Sequence, residues 1–248
     1  LRHRFWFGLS KRVRWSRGVH REIPARSLEL STPEQAQRIA ALQSRYQVRF
    51  EAGLSAATSL NNYEYLDILD RFWSQAGLDR PLGLRVCDVG CANFCYAPAM
   101  QAFFQPRSLL GVEVEGYRLY RDGRTRIDYA KGYLEALPDA RFLVADYLDL
   151  ELPADLITAW FPFVTAPAIL AWRLPLSLLR PQRLFARIGT NLSAGGMFVM
   201  VNHGLQEAAY ADDLCNAACL RRVALSASEG PLSGHRALPA VISAWRKS

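Results

Sequence analysis

The chain of 248 residues is half hydrophobic and 21% charged, a balance that excludes wholesale disorder and suits a soluble globular protein. Its length is enough for one α/β domain of roughly 170 residues plus an N-terminal extension. The net charge of +7 sits entirely in residues 1–26, where eight Arg or Lys side chains face Glu22 alone, while the other 22 basic and 22 acidic residues cancel; the high pI is therefore no argument that the body of the chain binds nucleic acid.

Residues 1–30 form a basic, aromatic segment in which Phe5, Trp6, Phe7, Leu9, Val13 and Trp15 interleave with cations. The plain expectation is a solvated extension. The same composition fits a peripheral tether to an anionic membrane surface, a nucleic-acid-contacting arm or an Arg-rich targeting segment. Residues 31–78 read as a helical extension packing on the core. Ser31 or Thr32 caps a first helix with Pro33 in its first turn, and Ile39, Leu42, Tyr46 and Phe50 recur at helical spacing. Asn61-Asn62 is expected to cap a second helix with Tyr65, Leu66, Leu69, Phe72, Trp73 and Ala76 on one face, ended by Gly77. Core packing, rather than the lining of a substrate pocket, is the expected role of these aromatics.

Residues 79–248 change to alternating short apolar runs and helical stretches. Strands are expected at 84–89, 108–114, 141–145, 154–161 and 197–201, with helices near 96–105, 117–136, 167–173, 181–192 and 205–219. That texture predicts an α/β fold with a doubly wound, mostly parallel sheet flanked by helices. Segments 221–228 and 238–245 are separated only by the loop 229–237, too short for a crossover helix, so they should form a C-terminal antiparallel hairpin. The uncharged run 156–172 is interrupted by Pro162 and Pro167 and reads as a strand end rather than a membrane span. The five cysteines, Cys87, Cys91, Cys95, Cys215 and Cys219, form no C-x-x-C pair or common zinc spacing. They are expected to be buried, reduced thiols without metal, in a chain that is cytoplasmic and membrane-associated only if its first segment is a tether.

The first strand runs Arg85-Val86-Cys87-Asp88-Val89-Gly90 and continues into Cys91-Ala92-Asn93-Phe94. Gly90 lets the backbone come close to a ligand, and the amides of the turn and the next helix start can hold a carboxylate. Pro98 places that helix start near Tyr96. The second strand ends Gly111-Val112-Glu113-Val114-Glu115, the third Val144-Ala145-Asp146-Tyr147 and the fourth Trp160-Phe161-Pro162-Phe163, and Leu192-Ser193-Ala194-Gly195-Gly196 leads into the fifth. Gly90 to Glu113 spans one strand–helix–strand unit. In this order and spacing, over about residues 80–248, these elements resemble the class I, Rossmann-like, S-adenosyl-L-methionine-dependent methyltransferase family.

The resemblance implies S-adenosyl-L-methionine as cofactor. It puts Asp88 and Gly90 at the cofactor's amino-acid end, with polar contacts from Asn93 and Tyr96. It assigns Glu113, or alternatively Glu115, to the ribose hydroxyls and Asp146 to the adenine amino group, with Tyr147 or Leu148 against the ring. Trp160, Phe161 and Phe163 read either as an aromatic wall for an apolar or planar acceptor or as plain packing. The chain departs from the family where Ala92 and Phe94 stand in place of further glycines. It also lacks the polar residue and second Pro that some amine methyltransferases carry after the fourth strand, so nucleobase or amide N-methylation has no support. Methyl transfer is an in-line displacement helped chiefly by alignment, and His203, after the fifth strand, is the candidate base for an unidentified acceptor. The rival readings are a nicotinamide dehydrogenase, whose G-x-G-x-x-G is absent after Gly90, and a non-catalytic protein binding a nucleoside cofactor or a partner on the same fold.

Overall fold

A computed structural model describes residues 2–233 and 239–247. After α1 (Arg2–Arg12), α2 (Pro33–Tyr46) begins where expected: the Thr32 hydroxyl accepts from the Gln35 amide, and Ile39, Leu42 and Tyr46 are buried. The next helix, α3 (Ala56–Ala76), starts earlier than Asn61-Asn62. Its cap is Ser55, whose hydroxyl accepts from the Thr58 amide, and Gly77 ends it in the left-handed region. Asn62 lies inside α3, fully buried, where its amide donates to the Thr58 and Cys95 carbonyls and accepts from the Ala99 amide. A buried polar side chain with three partners in two segments serves packing rather than capping.

The remaining elements are β1 (Arg85–Val89), α4 (Ala97–Phe104), β2 (Ser108–Glu113), α5 (Arg126–Leu134), β3 (Ala140–Val144), β4 (Ala154–Trp160), α6 (Ala166–Ala171), α7 (Pro181–Asn191), β5 (Leu192–His203), α8 (Gly204–Ala217), β6 (Leu220–Ser228) and β7 (Ala240–Lys247). Seven strands form one sheet in the order β3-β2-β1-β4-β5-β7-β6. The first five are parallel, and β7 runs antiparallel to both β5 and β6. The expected hairpin is therefore present, although part of its loop, residues 234–238, lies outside the described residues. One apolar core joins the sheet to α2, α3 and α4, with Leu42, Leu66, Phe72, Phe103 and Val199 among its members. A second core, on Phe185, Ile188, Phe198, Met200 and Leu214, joins it to α7 and α8.

Several expectations are corrected. The helix expected at 117–136 is only α5, because residues 117–125 turn back on themselves through an isolated Leu119–Thr125 bridge, and Thr125 with Asp128 then makes a reciprocal capping box. Strand β5 is longer than 197–201. Gly195-Gly196 lies within it, at an irregular stretch where pairing with β4 passes from Leu192 to Met197. The 156–172 run becomes β4 and α6, and no described helix is long and apolar enough to cross a membrane. All five cysteines are free thiols, but Cys95 is only partly buried and Cys219 is exposed.

The basic segment is not solvated along its whole length. Ser16 and the Arg17 amide bond the Asp128 carboxylate, and the His20 amide donates to the Asp128 carbonyl. The His20 ring stacks on Tyr129 at 4.0 Å. Glu22 accepts from the Ser55 amide and from the Thr58 and Tyr133 hydroxyls. This strap crosses α5 at Gly132, where an added Cβ would stand 1.7 Å from the His20 carbonyl oxygen. Gly132→Ala is expected to lift the strap while leaving the sheet folded. Tryptic cleavage after Arg17 and Arg21 should then run about tenfold faster with little change in melting temperature, and unchanged cleavage would show that the strap does not depend on that close approach.

Candidate active site

The turn after β1 is the first wall of the site. Gly90, Ala92 and Phe94 all lie in the left-handed region, at φ 78°, 52° and 55°. The chain thus keeps the glycine-type backbone at the two positions where it carries larger residues, at a cost of about 1–2 kcal/mol for each non-glycine. The ring of Phe94 is fully buried and is not part of the cavity wall. It fills the slot left by Gly111 on β2, where a Cβ would come within 2.6 Å of it. At Gly90, apart from the adjoining residues of the chain, no atom lies within 4 Å of the position a Cβ would take, so the room above the turn is left open.

Beyond this turn, the carboxyl ends of β1, β2, β3 and β4 surround a cavity of 740 Å³, within the range of small-molecule and cofactor sites. Of the residues singled out from the sequence, Gly90, Glu113, Asp146, Tyr147, Trp160, Phe161, Phe163 and His203 line it together. Asp88 and Asn93 do not. Asp88 is fully buried beneath the turn, where it accepts from the Tyr96 hydroxyl at 2.6 Å and from Thr158. It reaches the cavity only through Tyr96, which does line it. Glu115, the alternative to Glu113, is outside the wall and paired with Arg118 at 3.0 Å.

Glu113 is almost wholly buried and already engaged. One oxygen accepts from the Ala92 amide at 2.8 Å, and the other from the Glu115 amide at 2.8 Å and from Arg126 at 2.9 Å. Asp146 lines the cavity while one oxygen accepts from the Leu148 amide at 3.1 Å, so it is also the cap of the short turn Tyr147–Asp149. The far wall is aromatic. Tyr65 stacks flat on Tyr96 at 4.3 Å and packs at 4.3 Å against Trp160. The Trp160 indole N–H is buried and has no hydrogen-bond partner among the described residues, so the residue shows the cavity its ring rather than its donor. Phe161, with φ 54°, stacks on His203 at 4.2 Å.

Three contributors escaped the sequence reading. Tyr65, expected in core packing, packs against the first core and also lines the cavity. Arg126, 3% exposed, lies in the wall with its guanidinium 5.3 Å from the ring centroid of Trp172. The stretch after β4 adds Pro167, Ala171, Trp172 and Leu174 as an apolar wall. The Thr125-x-x-Asp128 capping signature was the signal that would have set Arg126 in the first turn of α5.

The strand order, with an antiparallel seventh strand between β5 and β6, and the cavity above the first four strands define the class I, Rossmann-like methyltransferase fold. No protein-family profile and no curated protein sequence matches the chain. Solved structures do. A geranyl diphosphate C-methyltransferase from Streptomyces coelicolor A3(2), solved with Mg2+, geranyl diphosphate and S-adenosyl-L-homocysteine, has a TM-score of 0.56 at 12% identity, covering 99% of this chain and 98% of its own. A SAM-dependent methyltransferase from Aquifex aeolicus gives 0.54 at 12% identity over 75% of this chain and 93% of its own. The [4+2]-cyclase SpnF gives 0.54 at 14% identity over 89% and 98%. At these identities the likeness is one of fold.

Burial pushes the Asp88 carboxyl up to about 7, against the hydrogen bonds from Thr158 and Tyr96 and with the charge of Glu113 adding to the rise. A carboxyl whose folded pKa lies above its unfolded value of 3.8 holds its proton more tightly in the folded state. Its stabilising contribution is therefore full below about pH 4 and declines as pH rises to about 7. Asp88→Asn, neutral and of the same shape, should flatten that decline, gaining on the order of 1–3 kcal/mol near pH 8 and little near pH 4. Urea midpoints of the two proteins at both pH values check this, and parallel pH profiles would refute it.

Proposed function

We propose that this chain is an S-adenosyl-L-methionine-dependent methyltransferase acting on an apolar or planar acceptor. The observation that carries the reading is the meeting of Gly90, Glu113, Asp146 and Tyr147 on one cavity at the carboxyl ends of adjacent parallel strands, the place where open α/β sheets bind nucleotide-like ligands. The residues present fit the cofactor: the open turn at Gly90 would admit its amino-acid end, Glu113 would accept from the ribose hydroxyls, and Asp146 and Tyr147, in the same cavity wall, would meet the adenine. When bound, the cofactor supplies an electrophilic methyl on a sulfonium.

The chain's own residues would then position the acceptor. Tyr65, Tyr96, Trp160 and Phe161 offer flat faces that exclude water and attract a cationic centre. His203, exposed and in the wall, would take a proton from an acceptor that must lose one. A second reading has its own support: SpnF, of the same fold, is a cyclase, and an aromatic cavity can also fold an apolar substrate without methylating it.

Isothermal titration with S-adenosyl-L-methionine should show binding, and Gly90→Val should weaken it by at least about tenfold, or about 1.4 kcal/mol, because its side chain occupies the open room. Incubation with the labelled cofactor and cell extract should transfer label to an organic-soluble product. Binding without any transfer would favour the cyclase or a non-catalytic binder, and absence of binding would end the reading.

A further inference from the structure

Helix α1 presents its apolar side to solvent. Its inner side is marked by half-buried His3 and Phe7, with the His3 ring nitrogen 2.7 Å from the Arg173 carbonyl. Phe5, Leu9 and Val13, four residues apart, make an outer stripe with Trp6 beside it; they are 66%, 42%, 51% and, for Trp6, 59% exposed. A surface helix of a globular body normally turns such a stripe inward. Exposed Arg2, Arg4, Arg12 and Arg14 border it, and the rest of the chain is electrically neutral, so the attraction to an anionic partner resides here.

We propose that α1 docks the chain on an anionic lipid bilayer, with Phe5, Trp6, Leu9 and Val13 entering the headgroup–acyl boundary and the arginines at the phosphates. An outward apolar stripe flanked by cations is the pattern of an interfacial helix, and it combines the two signals that stable peripheral binding needs. A single-stranded nucleic acid would use the arginines but not Leu9 and Val13, which have no ring to stack on a base. The helix is seated at Arg173, directly after Trp172, a cavity-lining residue that is itself 46% exposed near Leu170 and Leu176, at 42% and 52%. Docking therefore sets the apolar lip of the cavity beside the lipid. The proposal stands whether or not the chain transfers methyl groups.

Flotation of the intact protein with vesicles of phosphatidylcholine containing about one-third phosphatidylserine tests it, against phosphatidylcholine alone. Binding to the anionic vesicles is expected, weakened by salt and by at least about tenfold in Phe5→Glu/Leu9→Glu and in Arg2→Glu/Arg4→Glu. Ile23→Glu, 85% exposed on the strap, should leave binding unchanged, and all three variants should keep the parent melting temperature. Brominated lipid should quench the parent more than Trp6→Phe. No partition into anionic vesicles, partition indifferent to Phe5→Glu/Leu9→Glu, or binding of single-stranded RNA that survives Leu9→Glu and outcompetes vesicles would each overturn it.

Discussion

The carboxylate of Glu113 joins three segments that are distant along the chain: the turn after β1 through the Ala92 amide, the end of β2 through the Glu115 amide, and the first turn of α5 through Arg126. Both charged partners are nearly inaccessible to water. A buried guanidinium stripped of its carboxylate costs several kcal/mol, so the two hold one another in place, and with them the floor of the cavity. The same carboxylate that lines the cavity thus also shapes it. Its remaining acceptor capacity is aimed by bonds already made, which is the preorganisation a binding site requires.

The turn that Glu113 grips is strained and is held from both sides. Ala92 and Phe94 take left-handed backbone conformations that cost free energy. The Glu113 bond secures the first, and burial of the Phe94 ring against Gly111 secures the second. A full aromatic side chain contributes about 1.5–3 kcal/mol on burial, enough to offset the strain at its own position. This explains how a sequence poor in glycine keeps the close-approach geometry at Gly90 and keeps the bulk of Phe94 out of the ligand space.

The parallel strands were legible because each is a short apolar run buried on both faces, and the terminal hairpin because its linker cannot hold a helix. Glu113, Asp146 and the aromatic pair Trp160 and Phe161 were legible because strand ends point to the crevice. Asn61-Asn62 misled because an amide that caps a helix looks in sequence like one buried inside it; only the Cys95 and Ala99 backbone, far along the chain, decides between them. Residues 117–125 do not extend α5 because the Asp122-Gly123 turn and the Leu119–Thr125 bridge reverse the chain before the Thr125 cap. Tyr65 follows the helical period of α3 and Arg126 follows the Thr125 cap, but which wall each side chain meets is decided by tertiary packing, which no local pattern records. Asp128 shows the same limit: its carboxylate serves its own helix start and anchors the strap from Ser16 and Arg17.

The position of β7 has a consequence for how the molecule is made. It lies between β5 and β6, although it follows both in the chain. While the polypeptide emerges, β6 has no strand to pair with and β5 keeps an open edge between two apolar faces, Phe198 and Met200 on one side and Val199 and Val201 on the other. Such an edge invites mispairing. Nascent chains halted before Ala240 should therefore lean on chaperones, and the sheet closes in a single late insertion that supplies hydrogen bonds to two neighbours at once.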